Sequence, residues 1–350
     1  MPVTINNLFG LDQMGESVDL FRLAKGSLRL QELFTPEECY GDVYRFDRED
    51  FEMALPPVVG GRDSASIAVK AHDKQPEYIS LAHFRISKTL SSASLFTTRA
   101  PGELTDNAVG EIAKIKEGHV QRLQLGIEAL CAQAMRGAYA ITPANFPDSQ
   151  VSFSFNRAVT NLTAVSASWA TNSTEIVSDD IQDWKRDLKT AGSQLDHLIF
   201  NKKITGYLLN NTEIQAFITQ TQRGVSTFES AQFARMGGVN TWEEYEGWYK
   251  PEGGSVTQFV ADDEIFALPN EQTRRKHFRL IQGFGEIPNE AIGSGGGAPA
   301  GAVKASTPGI FQSALPTGGD PAGIKIVSGW YGIPLIKIPT VMGYKASVIA

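Results

Sequence analysis

Cysteine is almost missing from this chain: Cys39 and Cys131 are the only two in 350 residues. They lie far apart and share no CxxC spacing, so neither a disulfide framework nor a zinc site is expected, and a reducing compartment is implied. Histidine is scarce as well. His72, His83, His119, His197 and His277 stand singly, without HExxH or another close-spaced ligand set. Each reads as a surface or packed residue rather than a metal ligand or general base. An excess of positive charge is also lacking, since 32 Lys and Arg face 39 Asp and Glu, a formal net charge of −7. That balance repels nucleic acid phosphates at long range. No run is apolar for long enough to span a bilayer. The start, Met1-Pro-Val-Thr, has no basic region followed by an apolar run, and Asp12 and Glu16 place charges in the next stretch. No secretory signal is expected, and the cytosol of the producing cell is the expected place of synthesis.

Catalytic motifs are missing too. Gly283-Phe-Gly285-Glu lacks the third glycine of a dinucleotide fingerprint, and the glycines at 295–297 have no Lys-Ser/Thr after them. No GxSxG elbow occurs. The acidic pairs Asp179-Asp180 and Asp262-Asp263 are explained by helix-start charge and turn formation. No catalytic, cofactor-binding or metal-binding residue is therefore assigned.

The chain does hold apolar material for a substantial core, 42% of residues, with 20% charged. A short helical stretch, Ser27 to Phe34, puts Leu30, Leu33 and Phe34 on one face, and Pro36 stops it. Val43-Tyr-Arg-Phe-Asp alternates and reads as a strand. Two more alternating runs, Ser66 to Ala71 and Tyr78 to Ser87, are separated by a Gln75-Pro76 break. They suggest a long hairpin between Pro56 and Pro101. An isolated ribbon of two strands is marginal in water, so something outside it has to support it.

The strongest signal comes after Thr105 and Asp106. Val109, Ile112, Ile115, His119, Leu123, Ile127, Leu130 and Ala134 recur at steps of three and four, as one helix face requires. Gly137 falls where a C-terminal glycine belongs. Gly110, Gly118 and Gly126 inside the helix either admit a neighbouring backbone or are tolerated without a role. Beyond it, Val151 to Asn156 reads as a strand, and Trp169 to Asn211 as helix, strand and helix start, with Ile181, Trp184 and Leu188 on one face. His197 to Asn201 reads as a short buried strand. Glu213 to Ile218 begins a helix, and Tyr245 to Tyr249 and Thr257 to Leu268 suggest strands, giving an α+β body. From Gly293 to Gly319 only Lys304 is charged, and the glycine-rich part is loop material. Lys325-Ile-Val, Ile333 to Pro339 and Ala346 to Ile349 read as closing strands, with Pro334 and Pro339 at edge or end positions.

This order of arm, ribbon, long helix, α+β lobe and returning strands resembles the HK97-like capsid fold of tailed phages. In detail the chain resembles the lambda-type major capsid protein E family. The residues that carry the resemblance include Val43-Tyr-Arg-Phe-Asp-Arg-Glu-Asp with Met53-Ala-Leu-Pro-Pro-Val-Val-Gly-Gly, then Phe84-Arg-Ile-Ser-Lys and Arg99-Ala-Pro-Gly-Glu. Ala134-Met-Arg-Gly, Ala167-Ser-Trp with Asp179-Asp-Ile-Gln-Asp-Trp, and Ile199-Phe-Asn with Tyr207-Leu-Leu-Asn come next. Phe259-Val-Ala-Asp-Asp with Ala267-Leu-Pro, and Ile333-Pro-Leu-Ile-Lys-Ile-Pro, complete it.

The resemblance implies an N-terminal arm at 1–51, an extended loop at 52–103 and a peripheral domain at 104–170 with its spine helix at 104–137. An axial domain at 171–324 and C-terminal strands at 325–350, returning to the peripheral domain, complete the layout. It implies a major capsid protein without enzymatic activity, cofactor or metal, forming the icosahedral shell around the double-stranded DNA genome of a tailed phage. Its implied partners are copies of itself in hexamers and pentamers, a separate scaffolding protein, a portal and a decoration protein. The genome would be enclosed without sequence-specific binding, and no membrane is involved. The resemblance also implies non-covalent joints between subunits. A cellular nanocompartment shell protein of the same fold, and a soluble α+β enzyme, are the alternatives.

Overall fold

Thirty-one residues, Asp106–Arg136, wind into the long helix that the spacing predicts, here α1, and the other elements are arranged around it. At 1.5 Å per residue it extends about 46 Å. The computed structural model describes residues 28–48, 75–91, 106–141, 151–155, 161–170, 177–221, 238–250, 255–288, 302–304, 308–317 and 323–349. Of the expected stripe along α1, Ile112, His119, Leu123, Ile127, Leu130 and Ala134 are buried and Ile115 is half-buried, while Val120, Cys131 and Met135 on its flank are buried too. From residue 112 to its end only Lys114 and Arg122 are fully exposed, so the helix is covered on more than one side. Gly137 ends it at φ 101°, a conformation that favours glycine, and its N–H donates to Ala134 O at 3.0 Å. A Cβ added at Gly110, Gly118 or Gly126 would meet nothing within 4 Å, so no described backbone of the same chain approaches them.

Under α1 lies a sheet whose central strand is β16 (Gly323–Ile336), fourteen residues long. Strand β1 (Thr35–Cys39) runs parallel to β12 (Phe278–Gly283), and β12 and β15 (Ile310–Thr317) pair antiparallel with β16. Residues 323–332 also pair with β4 (Ala82–Ser91), which must therefore lie on the side of β16 opposite β15. Trp330, Ile333, Leu335 and Ile336 meet Leu123, Ile127, Leu130 and Met135 of α1 in the larger core.

A second sheet has the order β17 (Gly343–Lys345), β11 (Ile265–Pro269), β7 (Leu195–Phe200), β8 (Thr241–Glu244). Both faces of it are covered, which explains why β11 is buried at every position. Period-two alternation divides its side chains: Phe266 and Leu268 join the core under α1, while Ile265 and Ala267 join a second core. That second core is closed by α2 (Val177–Thr190), α3 (Lys202–Asn210) and α4 (Thr212–Thr221), through Ile181, Trp184, Leu188, Ile204, Leu208 and Ile214. Small two-stranded ribbons complete the chain: β2 (Val43–Arg48) with β3 (Gln75–Ser80), β5 (Ala138–Ile141) with β6 (Val151–Ser154), β9 (Trp248–Tyr249) with β10 (Thr257–Gln258), and β13 (Glu286–Pro288) with β14 (Ala302–Lys304). Helix α5 (Glu271–His277), capped by Asn270, leads directly into β12.

Several expectations change. The helix expected at 27–34 reduces to a 3-10 turn at Gln31–Leu33, because Phe34 is already extended and β1 begins at once. Pro36 sits inside β1, which is an outer strand and tolerates a missing donor there. The run from Tyr78 to Ser87 is not one hairpin strand. It divides at Leu81 between β3, paired with β2, and β4, paired with β16. Gln75-Pro76 lies within β3 rather than forming a break, and Ser66 to Ala71 lies outside the described residues. Within the uncharged stretch, Ile310–Thr317 is a strand of the main sheet. The span 171–324 is not one packing unit, since β12 and β15 lie beside β16, whereas β17 of the 325–350 segment pairs with β11. The closing strand expected at 346–349 is absent: Ser347 turns the chain at φ 59°, and Val348 is held by Asp263 O and Trp169 N instead. Pro334 does occupy a part of β16 paired on one side only, past the last pair with β4, and Pro339 opens a 3-10 turn.

Leu123→Pro removes a donor from the middle of α1 and forces its ring against the preceding turn, at a cost of about 3 kcal/mol or more. Because the half of α1 that begins at Leu123 packs into the larger core, soluble folded subunits are expected to vanish. A variant with wild-type circular dichroism and melting temperature would contradict this packing.

Candidate assembly surfaces and the contacts that hold them

Glu128 lies on α1 with no exposed surface, among apolar side chains. Its Oε1 accepts from the Leu30 N–H and from the Tyr245 hydroxyl, both at 2.7 Å, and its Oε2 accepts from the Gln31 N–H at 3.0 Å. Gln31 also donates its side-chain amide to Gln124 O at 2.8 Å. One carboxylate thus ties the start of the described chain and the Tyr245 segment to the middle of the helix. Burial pushes the Glu128 carboxyl above its ordinary range, and the hydrogen bonds from Tyr245, Leu30 and Gln31 only partly oppose this.

Arg136, in the last turn of α1, makes a second tie. Its Nε and Nη2 donate to Glu264 at 2.9 and 2.8 Å, and Nη2 also donates to Phe259 O at 2.6 Å. Glu264 further accepts from the Tyr344 hydroxyl at 2.6 Å and the Ala261 N–H at 3.0 Å. Burial disfavours the ionised Glu264 carboxyl, but Arg136 and these donors outweigh it and hold the group below its ordinary range. The helix C-terminus is in this way fixed to the second sheet, through the segment before β11 and through β17.

Thin elements pack against the larger core. The ribbon β2–β3 buries Phe46 and Ile79 on its inner face, with Phe46 against Phe153 at 6.4 Å. Alternation turns Val43, Arg45, Asp47, Pro76, Tyr78 and Ser80 outward, all exposed. Arg45 lies over the Tyr78 ring at 5.8 Å, and Tyr40 stacks on Phe284 at 4.9 Å while staying largely exposed. Strand β4 pairs with β16 alone, so its other edge has no strand partner among the described residues.

The residues singled out in the sequence fall into structural places. His119 is buried against Ser328 at 3.1 Å, and His197 lies between Glu243 at 2.9 Å and Arg274 at 3.0 Å. His83 is exposed on β4, close to the Tyr331 ring. His72 lies outside the described residues. Among the described residues no group of three or more His, Cys, Asp or Glu is placed to hold a metal ion, and no helix is long and apolar enough to cross a membrane. Asp180 is buried and accepts from Ser166 and Trp169, and Asp262 pairs with Lys203 at 3.2 Å. Gly283 and Gly285 lie under aromatic rings: an added Cβ would come within 2.4 Å of Tyr331 and 2.0 Å of Phe311. Cys39 and Cys131 are both free and buried. The ties through Glu128 and Glu264 carried no signal in the sequence, since the side chains that meet them, Tyr245, Arg136 and Tyr344, are far along the chain.

A helix packed on a long central strand, a second lobe and exposed ribbons at the rim make a shell subunit of the phage type. Residues 27–290 match the family model described as phage major capsid protein E, and the chain belongs to that family. Among solved structures, it resembles a protein of E. coli CFT073 assigned as the capsid protein of a prophage, with TM-score 0.61 and 14% identity over 95% of this chain and 97% of that one. It also resembles a phage-related protein of Bordetella bronchiseptica RB50, with TM-score 0.51 and 10% identity over 96% and 97%. At such identities the likeness establishes the fold, which is the HK97-like capsid fold that the element order implied. No curated protein matches the chain in sequence. The protein is a major capsid protein, and many copies of it build the phage shell.

Glu128→Leu leaves two backbone donors and the Tyr245 hydroxyl without their acceptor, and is expected to cost about 2–4 kcal/mol in urea unfolding of the subunit. Tyr245→Phe, which loses one donor only, should cost about 1 kcal/mol. Equal stability of all three proteins would mean that the buried carboxylate holds nothing.

Acid should act through Glu264. A carboxyl held below its ordinary range in the folded state adds stability above that range and loses it as pH falls through the folded-state value. Glu264→Gln should therefore be less stable than wild type at neutral pH and show a shallower loss between about pH 5 and 3. Parallel stability curves for the two proteins over that window would rule this out.

Proposed function

We propose that the chain closes an icosahedral shell through hexamers and pentamers, without catalytic activity, around a double-stranded DNA genome. The observation that carries this reading is the pairing of β2 with β3. Arg48 is opposite Gln75, so the two ends of the 49–74 segment stand side by side at one end of this ribbon. A 52–103 loop reaching over a neighbouring copy begins at this ribbon, whose inner face is anchored by Phe46 and Ile79. The part of that range at Ala82–Ser91 belongs to the main sheet. In this reading the core under α1 is the peripheral domain, drawing β12 and β15 to it, and the core closed by α2, α3 and α4 is the axial domain.

A separate scaffolding protein, a portal and a decoration protein are the expected partners. They meet the subunit in the host cytoplasm, and the finished shell belongs to the virion. The genome is enclosed rather than read, in keeping with a net charge of −7. Subunits are joined without covalent bonds.

Limited trypsin digestion tests the loop. In free subunits, cleavage is expected at Arg62, Lys70 and Lys74, whereas Lys88, paired within β4, should resist. In shells the first three sites should be protected by a neighbour. Equal cleavage in both states would refute an intersubunit loop. Boiling shells in detergent should release one band near 38.1 kDa, and a reductant-resistant ladder would show covalent joints instead.

A further inference from the structure

The chain has five tryptophans, and four of them, Trp169, Trp184, Trp242 and Trp330, are at most 4% exposed. Trp248 is 56% exposed. Large aromatic surface left in water forgoes the stabilisation that the other four obtain on folding. Its setting is rigid. Tyr249 points the opposite way and stacks on Phe259 at 5.0 Å, and Phe259 N–H donates to Gly247 O at 3.0 Å. Gly247 is packed so closely that an added Cβ would come within 2.7 Å of Phe259. The ribbon β9–β10 therefore holds the indole outward on a fixed base.

Trp248 is not alone on that face. Its partner across the ribbon is Gln258, and alternation places Val256, 58% exposed, on the same side. Glu246 and Lys250, both exposed, are two residues to either side of Trp248 in sequence, and Lys202 Nζ lies 3.8 Å from Glu246. The aromatic and aliphatic side chains are bordered by charges of both signs, the negative Glu246 and the positive Lys202 and Lys250. That chemistry suits a protein surface of ordinary composition. A preorganised tryptophan is the residue type on which protein contacts concentrate their energy. In a shell built from many copies of this chain, the surface that recurs beside every subunit is that of another copy.

We propose that the Trp248–Val256 face of one subunit docks on a second copy of this chain and anchors a contact between neighbours in the shell. The proposal rests on the capsid reading and adds the residue that secures the joint. Neutral acrylamide is the probe. In free subunits it should quench one tryptophan of the five, and that component should be absent from Trp248→Phe. In shells purified to this chain alone the component should disappear. Trp248→Ala should fold with an unchanged melting temperature, because the side chain is exposed, yet raise the concentration needed for assembly at least about tenfold. Shells in which Trp248 stays as quenchable as in free subunits would overturn the proposal while leaving the capsid function intact. Protection that is lost when shells are stripped to this chain alone would also overturn it, by assigning the face to a different protein. Normal assembly of Trp248→Ala would do the same, and the quenching of the wild type decides the matter even if that variant folds poorly.

Discussion

The packing of α1 against β16 is the contact on which the rest of this subunit depends. A 31-residue helix and a 14-residue strand bury Leu123, Ile127 and Leu130 against Trp330, Ile333 and Leu335. Neither element is stable in isolation, since a helix in water draws most of its stability from a packed face and a strand needs neighbours. Together they form a rigid bar to which β1, β4, β12 and β15 attach on either side. Thin ribbons can then project from the rim without destabilising the body.

Two buried carboxylates join this bar to the remainder, and they work by different means. Glu128 has no cationic partner among its hydrogen-bonding groups. It is satisfied by two backbone amides and a phenol, so burial dominates and the proton is held more tightly. Glu264 faces a guanidinium that fits both of its oxygens, and the charge is held in place. Glu128 recruits the start of the described chain, and Glu264 recruits the second sheet. Such polar ties specify one arrangement of the elements, because a displaced element would leave a buried donor or a buried charge unmet.

Much of the layout was legible in the sequence wherever periodicity is local. The steps of three and four from Ile112 to Ala134 define α1, and Gly137 marks its end with a positive φ. Ile181, Trp184 and Leu188 mark the buried face of α2 in the same way. Partners were not legible. The alternation of Tyr78 to Ser87 shows extended backbone, but a strand pattern is silent on which strand lies beside it. Residues 82–91 found theirs more than two hundred positions away, in β16. Gly283 and Gly285 do not complete a dinucleotide fingerprint, and only the rings of Tyr331 and Phe311 above them account for the missing side chains.

By itself, then, the sequence determined the α+β class, the long helix and the two apolar faces. These are set by interactions between residues a few positions apart, where the 3.6 and 2.0 periods hold. Only the tertiary structure decided that β15 belongs to the main sheet, that Ser347 turns the chain rather than extending it, and that Glu128 and Glu264 sit inside. It also singled out Trp248, whose neighbours in sequence differ little from those of the buried tryptophans. Burial is a property of what other parts of the chain place around a residue, and no local pattern records it.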